Sequence, residues 1–69
     1  MSNRLKEILT KEGYTQADLA RASNKAPGTI NKICNNSRSG APATRYLLVN
    51  SLNKLIGEEK YKYSDIFDK

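Results

Sequence analysis

The sequence predicts an all-α fold, a compact four- to five-helix bundle. Three observations predict it. Apolar residues recur at helical spacing in four separate stretches, each stretch is bounded by residues that start or stop helices, and 69 residues make one small domain. A chain of this size buries only about 60% of the surface it exposes when unfolded, so its helices have to share one core.

The first helix is expected over residues 3–12, where Leu5, Ile8 and Leu9 share a face. Ser2 or Asn3 can cap its start, and Gly13 fits just past its end. Thr15 is a natural N-cap for the second helix, and Asp18 three residues on makes a capping box with a shortened acid. Leu19, Ala20 and Ala22 supply the inner face of that helix. The pattern stops near Ser23-Asn24, because Asn tolerates the left-handed conformation of a sharp helix exit.

Pro27 opens the third helix, at the position where its missing N–H costs nothing. Ile30 and Ile33 point inward, and the helix ends near Asn35-Asn36. A loop rich in turn formers follows over residues 36–41. The fourth helix is expected over residues 42–56, with Leu48, Val49, Leu52, Leu55 and Ile56 inward and Gly57 as its stop. Residues 60–63 alternate Lys and Tyr and read equally as strand, turn or helix. Ser64 can cap a last turn through Asp65, Ile66 and Phe67.

Composition narrows the chemistry. There is no His or Trp, and Cys34 is the only cysteine. One thiol forms no internal disulfide, and one soft ligand without imidazole builds no zinc site. Ser-His and Cys-His nucleophile pairs lack their base. No metal, cofactor or small-molecule effector is expected, and a binding protein is favoured over an enzyme. No apolar run approaches the roughly 20 residues of a membrane span, and the N-terminus leads into no signal-peptide core. A cytoplasmic, nucleoid-associated location is the expectation.

The positive charge is concentrated. Residues 19–57 contain no acid but hold Arg21, Lys25, Lys32, Arg38, Arg45 and Lys54, while the remainder of the chain is nearly balanced; the total is +5. A basic face on a small domain attracts polyanions, nucleic acid foremost. A membrane surface fits less well, since the segment lacks a long amphipathic helix with bulky apolar residues opposite its cations.

Helices two and three have the layout of a helix-turn-helix over residues 15–36. Small Ala20 permits close approach, Asn24 makes the turn, and Ile30 and Ile33 lock the second helix to the core. The string T-Q-A-D-L-A-x-A-S-N-x-A-P-G-T-I-N-K-I resembles the helix-turn-helix of the Cro/phage-repressor-type family of bacterial and phage regulators. The resemblance extends over residues 4–67. It implies a five-helix, phage-repressor-like domain spanning residues 1–69 that binds operator DNA as a homodimer. The fourth helix and the Tyr61–Phe67 tail, within a dimerisation segment at residues 58–69, are the expected dimer surface. Three positions depart from the family pattern: Asn24 where Gly is usual, Lys25 where an apolar residue is usual, and Ala26 where a Ser or Thr cap is usual. Lacking a side-chain cap, the third helix keeps the N–H groups of its start near Pro27 available to a phosphate.

At roughly 100° per residue, Gly28, Lys32 and Asn35 project opposite Ile30 and Ile33, with Thr29 and Asn31 on the flanks. Gly28, Thr29, Asn31 and Lys32 are the candidates for base edges: Lys32 for guanine O6 or N7, Asn31 for adenine, and Gly28 for close backbone approach. The resemblance places Gln16 and Asn35 on phosphates. Pro27, Arg38 and Arg45 complete the phosphate candidates. For Gln16 an inert surface residue is the alternative, and for Arg45 a plain surface charge. Cys34 is expected in the core, and Tyr61, Tyr63, Ile66 and Phe67 in the core or a dimer contact. The rival function is a protein-interaction module, such as an antitoxin or antirepressor, whose basic face binds an acidic partner.

Overall fold

The computed structural model describes residues 3–35 and 41–67. Five helices follow in order: α1 Leu5–Glu12, α2 Gln16–Ser23, α3 Pro27–Cys34, α4 Pro42–Ile56 and α5 Tyr63–Ile66. They form an all-α bundle in which α2 packs against both α3 and α4, the packing of a phage-repressor-like domain. Among the described residues no helix is long and apolar enough to cross a membrane.

The apolar spacing of each helix becomes one shared core. Leu5 and Leu9 of α1, Leu19 of α2, Ile30 and Ile33 of α3, Leu48 and Leu52 of α4, and Ile66 of α5 are all fully buried. Burial of each such side chain stabilises by about 1.5–3 kcal/mol before entropy is counted. Ala20 and Cys34 fill the space between larger neighbours. Burial pushes the Cys34 thiol up to about 11, so it stays protonated and behaves as a small hydrophobe. Leu55 and Ile56, expected inside, are half-buried against this core, as are Tyr14, Tyr61 and Tyr63. Ala22 is likewise only half-buried, and Ser23 takes the inner position, its hydroxyl donating to the Ala20 carbonyl at 3.3 Å.

Two helix starts differ from the sequence expectation. The first helix begins at Leu5, not residue 3, with Arg4 at its N-cap position, yet the Asn3 carboxamide oxygen still accepts the Leu5 N–H at 2.9 Å. Ser2 lies outside the described residues. The last helix starts at Tyr63, one residue before the expected Ser64 cap. Its start is closed by Asp65, whose carboxylate accepts the Lys62 N–H at 2.8 Å, because a carboxylate at this position reaches back where a serine hydroxyl is not required.

Residues 60–62 form neither strand nor helix. They are held by Asn53, a buried polar residue on α4. Its side-chain oxygen accepts the Lys60 and Tyr61 N–H groups at 3.2 and 3.0 Å, and its amide donates to the Tyr61 carbonyl at 2.8 Å. Nearby, Glu12 accepts from Lys60 Nζ at 2.8 Å and from the Tyr61 hydroxyl at 2.6 Å, tying this segment to α1. These bonds, the Lys60 one foremost, hold the Glu12 carboxyl below its ordinary 4.5.

Candidate nucleic-acid interface

The turn between α2 and α3 is shaped by local chemistry. The Thr15 hydroxyl accepts the Asp18 N–H at 3.1 Å while Asp18 accepts the Thr15 N–H at 2.9 Å, so both ends of the capping box are closed. Thr15, through its backbone N–H first and its hydroxyl second, holds the Asp18 carboxyl below its ordinary 3.8, with a smaller pull from the Arg21 charge. Asn24 ends α2 in the left-handed region at φ 58°, ψ 35°. Its N–H and that of Lys25 return to the Ala20 and Arg21 carbonyls. This closure turns the chain sharply, and three residues later Pro27 starts α3.

On α3 the two directions computed from spacing are kept apart. Ile30 and Ile33 are 0% exposed, whereas Gly28, Asn31, Lys32 and Asn35 are exposed and Thr29 is half-buried. Gly28 has open space around it: a Cβ there meets nothing within 4 Å. Ala26 extends into the start of α3 without a side-chain cap, and Pro27 beside it is exposed. Lys25 is exposed as well, and among the described residues neither Lys25 nor Lys32 has an acidic partner. Arg21 is different, for its guanidinium pairs with Asp18 at 2.5 Å.

Gln16, the first residue of α2, meets α3 directly. Asn31 Nδ2 donates to Gln16 Oε1 at 3.1 Å, and Asn35 Nδ2 donates to Asn31 Oδ1 at 3.0 Å. Sequence spacing shows half of this chain, since Asn31 and Asn35 are four apart on one helix. The Gln16 link joins positions fifteen apart and has no local signal.

Arg45 stands in the first turn of α4, half-buried, and its Nε donates to the Tyr63 hydroxyl at 2.7 Å. Tyr63 in turn stacks on Tyr46 with ring centroids 4.4 Å apart. The Arg45 side chain is thus oriented by α5, a contact that sequence reading missed. Arg38 lies outside the described residues. Among the described residues no group of His, Cys, Asp or Glu side chains is arranged to hold a metal ion.

The arrangement is a short helix seated on the shared core, with a polar, acid-free face turned to solvent. A family model described as Helix-turn-helix matches residues 5–53. No curated protein and no solved structure matches the chain significantly.

Proposed function

The chain belongs to the helix-turn-helix family of DNA-binding proteins, and from that premise we propose that it is a sequence-specific transcription regulator of the Cro/phage-repressor type. The observation that carries this reading is the division of α3, with Ile30 and Ile33 wholly buried and Gly28, Lys32 and Asn35 exposed on the far side. A helix so seated enters the major groove of a duplex with its first two turns against base edges. Lys32 then donates to guanine O6 or N7, Thr29 flanks it, and Gly28 admits close approach of the backbone. Gln16, Asn35 and the uncapped start of α3 at Pro27 meet phosphates, joined by Arg38 and by Arg45 in the first turn of α4.

One domain of this size covers few base pairs, so two copies on a two-fold operator supply the affinity. Ile66 and Phe67 are spent on the chain's own core, whereas Tyr46 and Leu47 on α4 are 56% and 36% exposed. The second copy is therefore proposed to dock on that part of α4. The place of action is the cytoplasm, on the nucleoid.

Selection of bound duplexes from a random pool tests the proposal. A palindromic consensus with half-sites about one helical turn apart is the expected result. Recovery of no consensus, with no duplex bound at low salt, overturns it and favours a protein partner for the basic face.

A further inference from the structure

The amides of Gln16, Asn31 and Asn35 form a directed chain across α2 and α3. Each bond runs from the nitrogen of one amide to the oxygen of the next, beginning at Asn35 and ending on Gln16 Oε1. An amide is one flat group with its carbonyl oxygen on one arm and its two N–H donors on the other. With the Gln16 oxygen engaged by Asn31, the Gln16 nitrogen is directed away from Asn31, and no bond to it occurs among the described residues. A phosphate offers acceptors only, so this polarity suits it.

Asn31 is the middle link. To pair with adenine, an Asn side chain uses its oxygen and one N–H together. Here the oxygen is held by Asn35 and an N–H by Gln16. We propose that Asn31 is a positioning residue for duplex binding and not a base reader: it fixes Gln16 with its N–H donors outward and couples it to Asn35, so that two phosphate-contacting groups are set before DNA arrives. The inference rests on the DNA-binding reading above. Its physical gain is preorganisation, because long exposed side chains otherwise lose rotamer freedom on binding.

Asn31→Ala tests it, with affinities measured on the selected duplex and on a random one. Asn31 is exposed, so thermal unfolding of the variant matches the parent. Loss of this link weakens both duplexes alike, by about fivefold, the scale of one net hydrogen bond. Base preference at every operator position is unchanged. A neutral methylphosphonate at the phosphate that Gln16 meets weakens the parent and has little effect on Asn31→Ala. Asn31→Asp binds more weakly still, because a carboxylate accepts from both neighbours, draws the Gln16 N–H inward and repels phosphate.

Relaxed preference at one base pair, with random-duplex affinity kept, identifies Asn31 as a base reader and overturns the inference alone. Unchanged affinity on both duplexes also overturns it alone. A parent protein that binds no duplex overturns the DNA-binding reading and this inference with it.

Discussion

The α2–α3 face and the clasp around residues 57–62 are both built from polar side chains, but only the clasp is closed. Asn53 spends its oxygen and an N–H on the backbone of residues 60 and 61, and Glu12 is matched by Lys60 and the Tyr61 hydroxyl. On the α2–α3 face, the amide chain ends on a Gln16 whose nitrogen has no partner among the described residues, and Lys25 and Lys32 stand without acids. The closed network organises the fold, because its groups are satisfied internally. The open one leaves N–H donors facing outward, as the proposed phosphate contacts require.

Changes on the two sides should therefore separate stability from binding. The largest effect is expected from Asn53→Ala in the clasp. It strands the Lys60 and Tyr61 backbone groups and costs about 1–3 kcal/mol of unfolding free energy by denaturant titration. Duplex affinity of the folded variant should be unchanged.

Lys32→Ala sharpens the comparison from the other side. Its melting temperature should match the parent, since the side chain is exposed. Discrimination at one base pair falls by about 1–3 kcal/mol if Lys32 reads guanine, as measured by competition binding.

Gly28→Ala should move the two properties in opposite directions. The added methyl has open space in the free protein, and replacing a helical glycine stabilises by up to about 1 kcal/mol. The same methyl meets the groove, so duplex affinity falls while the melting temperature rises. A variant that gains both would show that the backbone at Gly28 stays clear of DNA.

The smallest effect is acid sensitivity in the clasp. Glu12 sits below its ordinary 4.5 in the folded chain, held there mainly by Lys60 and then Tyr61. A depressed carboxylate contributes stability that is present above its unfolded value and lost as pH falls through its folded one. Melting temperature should decline as pH drops below 4.5, and Glu12→Gln should make the decline shallower, with Asp18 supplying part of what remains.

Much of the bundle is legible from neighbouring residues alone. Thr15 with Asp18, Asn24, Pro27 and Gly57 act within a turn of their own position, and the structure uses each where spacing puts it. The two faces of α3 follow from Ile30 and Ile33 by helical geometry. Apolar spacing is silent about polar groups that face inward, and so Asn53 and Ser51 on α4 were not expected to be buried. Contacts between distant segments were equally hidden. Gln16 meets Asn31, Arg45 meets Tyr63, and the Tyr14 hydroxyl reaches the Leu55 carbonyl at 2.8 Å only after the helices have packed.

Titrating isotope-labelled protein with its selected duplex, and following every backbone amide by NMR, compares the two regions in one measurement. Shifts should concentrate between Gln16 and Asn35, and amides at residues 53–62 should stay in place. Shifts centred on the clasp, or none with any duplex at low salt, would contradict the assignment of DNA binding to α3.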